Sequence, residues 1–230
     1  MTTHNDDAKI RDRVLELCCA TIPGWDVHRV EALDRFCDLI LKWNAVTSLV
    51  SRKDTQRLWS HVADSLSLVT VAFGLLGTPP RLLDLGSGGG FPAIPLALAV
   101  PALEVVMVER SRKKAGFLEN VIGELRLQAH VSVENGAFPE DVWIEDPKGC
   151  LITARAVERP EIVWLGVREL VSNGAIFLCQ WAEVPEDADA MFHVEQIIDD
   201  WTRAGLRRGL LHVIRPRPPS QEAGEFTDCL

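Results

Sequence analysis

The sequence predicts an α/β fold in which a doubly wound, mostly parallel sheet carries helices on both faces. Short apolar segments of strand length alternate with amphipathic segments at helical spacing along most of the 230 residues. Residues 81–95 have the pattern of a buried strand, a glycine-rich turn and the start of a helix. The next apolar segment, residues 104–109, ends in the acidic residue Glu109. Together these features predict a ligand site at the carboxyl end of the sheet.

The glycine-rich turn is the most informative stretch of the chain. Leu82, Leu83 and Leu85 predict a strand that is buried on both faces, with Asp84 near its carboxyl end. Three glycines follow at alternate positions: Gly86, Gly88 and Gly90. Glycine tolerates positive φ and has no Cβ, so a ligand can lie against the backbone here. A helix is expected from about residue 92, with its positive end towards the turn.

Spacing distinguishes two cofactors that use such a turn. The dinucleotide fingerprint requires a third glycine at position 91, where this chain has Phe91. An acidic residue followed by glycines at alternate positions, here from Asp84 to Gly90, is typical of the S-adenosylmethionine loop of class I methyltransferases. Glu109 then stands where a carboxylate accepts hydrogen bonds from ribose hydroxyls. A tight turn that binds no ligand and a solvated Glu109 are the alternatives.

Periodicity predicts the remaining elements. Helices are expected at residues 27–43, from an Asp54 cap to about 73, around 118–125 and at 160–171. With the strand before the glycine turn, seven strands are expected, the others at 104–109, 130–134, 150–154, 175–180, 194–198 and 209–214. The predicted domain organisation is an N-terminal helical extension at 1–75, a core domain at 76–220 and a C-terminal tail at 221–230.

Composition indicates a globular chain without metal or disulfides. Hydrophobic residues make up 47% of the sequence, enough for a large core. The six cysteines include no C-x-x-C pair and no cluster at zinc spacing, so neither a disulfide framework nor a metal site is expected. The N-terminus has no signal-peptide pattern and no segment is long enough to cross a membrane. We therefore expect a cytoplasmic protein.

The charge distribution bears on nucleic-acid binding. A net charge of −9 argues against a long electrostatic clamp on nucleic acid. Two basic clusters remain, at residues 110–114 and 203–217. We expect the first to lie at the rim of the site, where Arg112 and Lys113 are candidate substrate contacts. An ordinary solvated surface is the alternative for each cluster.

Several motifs resemble one family over nearly the whole chain. They are Lys42-Trp43-Asn44 with Thr47, His61-Val62-Ala63-Asp64-Ser65, the loop from Leu83 to Pro92, Lys113-Lys114 with Phe117-Leu118, and Ala154-Arg155-Ala156. Together they resemble the bacterial small-subunit ribosomal RNA guanine-N7 methyltransferases, also called the glucose-inhibited division protein B family. The resemblance implies a Rossmann-like class I methyltransferase with a seven-stranded sheet and an N-terminal helical cap. It implies methyl transfer from S-adenosylmethionine to N7 of a guanine, conventionally position 527, in 16S ribosomal RNA.

The resemblance also implies roles for individual residues. Gly86 and Phe91 would line the cofactor, and the backbone of Asn135 and Gly136 would meet the adenine. Arg155 matches an arginine at the active centre. One position departs from the family, because Gln180 stands near the place where a lysine is often found. No role of that lysine can be carried over.

The chemistry of guanine N7 predicts a sparse site. N7 has a free lone pair at neutral pH, so its methylation needs in-line positioning and no strong base. The Asn/Asp-Pro-Pro-aromatic pattern of amine methylation is absent at Thr153-Ala154-Arg155. Arg155 could hold the cofactor carboxylate, a phosphate or guanine O6, or form a structural ion pair with Glu158 or Asp84. His61 and Asp64 either face the substrate pocket or form a hydrogen-bonded seam behind it.

Three alternatives to this function are open at the level of sequence. The enzyme could methylate another RNA, a protein or a small molecule, or it could be a dinucleotide-dependent oxidoreductase. It could also bind S-adenosylmethionine or RNA without catalysis. The preferred interpretation is a monomer that acts on 16S ribosomal RNA, within the 30S subunit or a precursor particle.

Overall fold

A computed structural model describes residues 3–76, 81–142, 144–155 and 159–217. The strands run over Arg81–Leu85 (β1), Glu104–Val108 (β2), Val131–Glu134 (β3), Cys150–Ala154 (β4), Ile176–Cys179 (β5), His193–Gln196 (β6) and His212–Arg215 (β7). The helices run over Thr3–Thr21 (α1), Val27–Asn44 (α2), Leu58–Leu76 (α3), Ala93–Ala99 (α4), Arg112–Glu124 (α5), Pro160–Ser172 (α6), Ala188–Met191 (α7) and Asp200–Arg203 (α8). A short 3-10 helix spans Asp54–Gln56.

Within these residues the sheet has seven strands in the order β3-β2-β1-β4-β5-β7-β6. The first five strands are parallel, and β7 is antiparallel to both β5 and β6. The predicted seven-stranded, mostly parallel sheet is confirmed. Because the chain moves outwards from β1 to β3 and then returns to β4, the strand order reverses between β1 and β4. A crevice forms beyond the carboxyl ends of the strands at such a switch point.

The sheet is covered on both faces, as the leucine-rich β1 predicts. Leu82 packs in the core with α2, α3 and α4, whereas Leu83 packs in a second core with α6. This division follows from the alternation of side chains along a strand. Every residue of α4 is buried, which explains its uniformly apolar sequence. Each leucine buried in this way stabilises the fold by about 1.5–3 kcal/mol.

The N-terminal helices form one continuous core with the sheet. Val14 and Cys18 of α1 belong to the same buried cluster as Leu82 of β1. Arg11 of α1 donates to both carboxylate oxygens of Asp34 in α2, at 3.0 and 2.7 Å. The proposed domain boundary near residue 75 stays a prediction, and the tail at 221–230 lies outside the described residues. No helix in the described ranges is both long and apolar enough to cross a membrane.

The predicted helix cap at Asp54 is wrong. Asp54 begins the 3-10 helix, and α3 starts four residues later at Leu58. The first turn of α3 is instead contacted from α1, where Asp7 Oδ2 accepts a hydrogen bond from the Trp59 backbone N–H at 3.2 Å. The Asp54 side chain does not cap α3; its Oδ2 accepts a hydrogen bond from Ser51 Oγ at 2.5 Å. It is thereby placed next to the candidate site.

Candidate active site

A cavity of about 430 Å³ opens at the carboxyl ends of the central strands. Gly86, Glu109 and Arg155, which follow β1, β2 and β4 respectively, all line it. The volume lies in the range of small-molecule and cofactor sites. The cavity therefore occupies the crevice that the sheet topology predicts.

Backbone of the glycine turn forms one wall of the cavity. Gly86 and Gly88 both line it and have φ of 71° and 53°, values that favour glycine. The Gly88 N–H donates to Glu109 Oε2 at 2.9 Å, which fixes the turn against the end of β2. The protein atom nearest to a Cβ added at Gly88 would be Gly86 O, at 3.7 Å. That side of Gly88 is thus open.

Gly90 is closely packed, and its cofactor contact stays a prediction. Its φ is 85°, but it does not line the cavity. A Cβ at this position would lie 2.9 Å from Ile94 Cγ1 and 3.3 Å from both Leu118 Cδ2 and Phe36 Cζ. The absence of a side chain lets the turn pack against α2, α4 and α5. The third glycine of the pattern is therefore required by the packing of the turn.

Glu109 is buried and held by backbone donors. Oε1 accepts from the Ser111 N–H at 2.7 Å and Oε2 from the Gly88 N–H. A carboxylate oxygen can accept two hydrogen bonds, so each retains capacity for a ligand. Asn135 donates from Nδ2 to the Glu109 carbonyl at 2.7 Å and lies outside the cavity lining, whereas Gly136 is part of it. Asn135 thus braces the end of β2.

Asp84 lies behind the glycine turn, only 1% exposed. Its Oδ1 accepts from Thr153 Oγ1 at 2.7 Å, while Oδ2 has no hydrogen-bond partner among the described residues. Burial raises the pKa of this carboxyl to about 6. Asp84 does not itself line the cavity, although its neighbours Leu85 and Gly86 do. A buried acceptor without a donor is costly unless a ligand completes it.

Arg155 is held by α3 instead of the predicted partners. Its Nη2 donates to His61 Nδ1 at 2.7 Å and lies 3.3 Å from Asp64 Oδ2. Glu158, one predicted partner, lies outside the described residues, and the ion pair found is to Asp64 and not to Asp84. Nη1 is buried without a hydrogen-bond partner in the part of the chain that the structure describes.

His61 and Asp64 occupy different positions relative to the cavity. His61 lines it, 5.4 Å from the Phe91 ring, whose centroid is in turn 5.1 Å from Phe36. Asp64 does not, because its Oδ1 accepts from the Arg208 backbone N–H at 2.6 Å and its Oδ2 faces Arg155. Asp64 thus supports Arg155 from behind, and its substrate contact stays a prediction.

One wall of the cavity was not predicted. Leu49, Val50 and Ser51 line it, together with Asp54. Asn44 fixes this segment, because its Oδ1 accepts from the Leu49 and Val50 N–H groups at 2.8 and 3.0 Å. The Lys42-Trp43-Asn44 motif was the available signal for this wall. Apolar residues from two further segments also line the cavity: Phe138, Ile162 and Val163.

Comparison with known proteins identifies the family. The model of the family described as rRNA small subunit methyltransferase G matches residues 29–198. A ribosomal RNA small subunit methyltransferase G from Chromobacterium violaceum is 45% identical over 165 residues, covering 71% of this chain and 75% of the relative. The protein of the same name from Verminephrobacter eiseniae is 30% identical over 225 residues, covering 86% and 91%. The chain belongs to the rRNA small subunit methyltransferase G family.

The fold agrees with solved methyltransferases. A putative S-adenosylmethionine-dependent methyltransferase from Methanococcus maripaludis superimposes with a TM-score of 0.54 at 12% identity, covering 79% of this chain and 92% of that one. The class I methyltransferase fold and the family predicted from the sequence are confirmed. The oxidoreductase alternative is set aside by the family match.

The first predicted basic cluster lies beside the cavity of this methyltransferase, as its position after β2 predicts. Arg110 and Lys114 line the cavity, whereas Arg112 and Lys113 are exposed on the first turn of α5 and lie outside the lining. Arg159 adds a further cation to the lining from the start of α6. Arg112 and Lys113, the predicted substrate contacts, thus lie in the sequence between two residues that do line the cavity, Arg110 and Lys114.

The second predicted basic cluster is largely taken up by protein contacts. Arg207 is buried with its side chain 1% exposed, and its Nη2 donates to Asp199 Oδ2 at 2.6 Å. Arg203 pairs with Asp200 at 3.0 Å, and Arg217 donates to the carbonyl oxygen of Phe192. None of these residues lines the cavity. Within the described residues this cluster therefore supplies no side chain to the lining of the cavity.

Proposed function

We propose that this chain transfers the methyl group of S-adenosylmethionine to N7 of guanine 527 in 16S ribosomal RNA. The observation that carries the proposal is the strand-end cavity with its glycine backbone wall and two buried carboxylates, Asp84 and Glu109, in a member of this family. When bound, the cofactor supplies an electrophilic methyl group on a sulfonium. The residues of the chain bind the cofactor and orient the base.

The residues present fit this cofactor. The partnerless oxygen of Asp84, which lies directly behind the cavity-lining backbone of Leu85 and Gly86, suits the methionine ammonium group. The remaining acceptor capacity of Glu109 suits a ribose diol. The open side of Gly88 leaves room for a ligand against the backbone. We assign the adenine to the side of the cavity that Gly136 lines. Phe91 contributes an apolar surface beside His61.

The acceptor chemistry fits a base that already has a lone pair. No cysteine is among the described lining residues, and burial raises the pKa of Cys150 and of Cys179 to about 11. Covalent attack of the kind used for pyrimidine C5 methylation therefore has no thiolate here. Nη1 of Arg155 retains N–H donors for guanine O6 or an adjacent phosphate. Positioning is the work that these residues can do.

Cations on two sides of the cavity are proposed to hold RNA phosphates. Arg110 and Lys114 line it next to β2. Arg52, Lys53 and Arg57 are exposed on residues 51–57, the segment whose Ser51 and Asp54 line the cavity. The structure shows no hydrogen bond or ion pair of these three side chains with the residues it describes. They can therefore contact phosphates without first breaking an ion pair.

The small number of such cations bears on whether free RNA or an assembled particle is the substrate. A few phosphate contacts give weak binding to flexible RNA, so specificity would come from preformed RNA shape. We propose that the 30S subunit or a precursor particle is the substrate, and that the enzyme acts as a cytoplasmic monomer.

Transfer of a tritiated methyl group tests this proposal. Unmodified 30S subunits and protein-free 16S RNA are incubated with enzyme and labelled S-adenosylmethionine, and the product is digested to nucleosides. We expect 7-methylguanosine, formed faster on the particle. Another methylated nucleoside would contradict the proposed chemistry. Cofactor binding without transfer to any RNA would indicate a non-catalytic module.

A further inference from the structure

His61 connects the unpredicted cavity wall to the active-site arginine. Its Nε2 lies at an ion-pair distance of 3.3 Å from Asp54 Oδ1 but makes no hydrogen bond to the described residues, and its Nδ1 lies 2.7 Å from Arg155 Nη2. The imidazole is largely buried, with 17% of the side chain exposed. Both ring nitrogens thus face charged groups of opposite sign.

These two neighbours determine which ring nitrogen carries the proton. An arginine side chain has only donors, so Nδ1 must present its lone pair to Arg155. An ionised aspartate has only acceptors, so the Nε2–H is the group that suits Asp54. The hydrogen bond from Ser51 is the main cause that lowers the pKa of Asp54, which keeps this carboxyl ionised at neutral pH. The arrangement therefore requires neutral His61 with its proton on Nε2.

Asp64 completes the arrangement around Arg155. Nη2 carries two hydrogens, and His61 Nδ1 and Asp64 Oδ2 lie within reach of one each. Asp64 is itself fixed by the Arg208 N–H, at 2.6 Å from Oδ1. Nη2 is thus engaged by protein, while Nη1 has no partner among the described residues. This division leaves the two donors of Nη1, a buried atom of a side chain that lines the cavity, for the substrate.

We propose that His61 is a positioning residue that acts only as the neutral, Nε2-protonated imidazole, holding Arg155 so that Nη1 meets the RNA substrate. The proposal rests on the methyl transfer proposed above. It deepens that function by assigning a role to residues 51–57, since Asp54 selects the tautomer of His61. Protonation of His61 would then disable Arg155 without removing either residue.

The consequence of protonation follows from the surrounding charges. His61 is faced by Asp54 from the 3-10 helix, by Arg155 after β4 and by Arg208 before β7, with Asp64 on its own helix beyond Arg155. Desolvation and the two arginines lower the pKa of His61, which Asp54 only partly offsets. A proton on Nδ1 would point an N–H at the Arg155 N–H and add a like charge. Arg155 would then leave its position.

Two substitutions of His61 separate positioning from packing. In His61→Asn the amide oxygen can replace Nδ1 as acceptor but does not titrate, whereas His61→Phe keeps a ring and removes the acceptor. At saturating cofactor and pH 7.5 we expect His61→Phe to lose about 10- to 100-fold in kcat/KM for the 30S subunit, as for removal of a hydrogen bond to a charged group. His61→Asn should regain most of that loss. Both should bind S-adenosylmethionine within about threefold of the wild type.

The pH profile provides the decisive readout. In the wild type, kcat/KM for the 30S subunit should fall as the pH is lowered through the pKa of His61, below the usual histidine range. His61→Asn should lack this acid limb. Asp54→Asn should move it to lower pH, because the Asp54 charge raises the pKa of His61. An acid limb that persists in His61→Asn, or that stays in place in Asp54→Asn, would overturn the proposal.

A spectroscopic test is independent of the methyl-transfer reaction. Long-range ¹H–¹⁵N spectra of the ¹⁵N-labelled full chain, with His61 assigned from His61→Asn, report which ring nitrogen is protonated. The expected result at pH 7.5 is protonation at Nε2 with Nδ1 bare. Protonation at Nδ1 would contradict the proposal. Because the spectrum needs no substrate, failure of this inference can be told apart from failure of the proposed function.

Discussion

Asp84 Oδ1 accepts a 2.7 Å hydrogen bond from Thr153 Oγ1 across the switch point of the sheet. The bond joins β1 to β4 at the place where the strand order reverses. It satisfies one carboxylate oxygen and leaves the other without a partner among the described residues. The structure thus keeps a partly desolvated acceptor behind the glycine turn, and three predictions start from this region.

Replacing Asp84 by Asn should stabilise the free protein and abolish cofactor binding. The folded pKa of about 6 is raised above the unfolded value. The stability that this group contributes is therefore fully present below pH 4 and is lost as the pH rises through 6. The resulting cost at pH 7.5 is about 3 kcal/mol at most, and the new buried amide offsets part of the gain. We expect Asp84→Asn to raise the free energy of unfolding by about 1–2 kcal/mol at pH 7.5.

Chemical denaturation at pH 7.5 and pH 4.5 checks this prediction, with Thr153→Val as a control for removal of the hydrogen bond. The gain from Asp84→Asn should nearly vanish at pH 4.5, where the wild-type carboxyl is protonated. An equal loss of stability at both values would show that Asp84 is not under electrostatic stress.

The affinity for S-adenosylmethionine should depend on the same carboxyl. If ionised Asp84 holds the methionine ammonium group, affinity falls as the pH is lowered through about 6, approaching tenfold per pH unit. The His61 limb described above is measured at saturating cofactor and is therefore separate. Calorimetric titration of the wild type between pH 5 and 8 measures the effect. Constant affinity over this range would place the ammonium group elsewhere.

Gly88 and Gly90 form a matched pair with opposite expectations. In Gly88→Ala the new methyl group enters open space beside the cavity, so cofactor affinity should fall at least tenfold with a stability loss of about 1 kcal/mol from the positive φ. In Gly90→Ala the methyl group lies 2.9 Å from Ile94 Cγ1, so the loss of stability should exceed that of Gly88→Ala. Calorimetry and thermal unfolding of both variants decide. Normal cofactor affinity in Gly88→Ala would remove Gly88 from the site.

Arg155→Lys should separate base positioning from cofactor binding. Lysine keeps the charge but lacks the planar guanidinium group, so it cannot bind two protein acceptors and a ligand at the same time in the same geometry. We expect kcat/KM for the 30S subunit to fall about 100-fold, with the dissociation constant of S-adenosylmethionine changed less than threefold. Arg159→Lys is the control on the neighbouring cavity wall. Parallel loss of cofactor affinity would mean that Arg155 binds the cofactor carboxylate.

Charge reversal on the segment 51–57 tests its proposed RNA contact. The double variant Arg52→Glu/Lys53→Glu should raise KM for the 30S subunit about tenfold and reduce the salt dependence of binding by about one unit of slope for each phosphate that is no longer neutralised. Arg203→Glu, at an exposed cation away from the cavity, should change neither. The double variant Arg112→Glu/Lys113→Glu should raise KM less than Arg52→Glu/Lys53→Glu does, because Arg112 and Lys113 lie outside the cavity lining. Equal effects of all three variants would indicate only a general change of net charge.

Much of the fold was predictable because local signals agreed with the tertiary structure. Apolar runs of strand length located all seven described strands, and the alternating glycines located the cavity. The helix α1 was not predicted, because its sequence starts with polar residues and has few buried apolar residues, among them Val14 and Cys18, so it has no clear apolar periodicity. Its stability comes from contact with α3, which a local pattern does not show.

The site was predictable where a residue's role depends on its own strand. Glu109 and Gly86 follow directly from the ends of β2 and β1. The parts that depend on distant segments were missed, such as the segment after α2 that Asn44 brings to the cavity. At Gly90 the sequence could not show the close packing against Ile94, because a packing glycine and a ligand-binding glycine have the same sequence signal. Only the neighbours across space separate them.

Locating the transferred methyl group tests the central claim most directly. Unmodified 30S subunits are treated with enzyme and S-adenosylmethionine, and the extracted 16S RNA is reduced with borohydride and cleaved with aniline, which breaks the chain at 7-methylguanosine. Primer extension should then show one new stop, at guanine 527, that is absent without enzyme and strongly reduced with Arg155→Lys. Methyl incorporation without cleavage at guanine 527 would contradict the account.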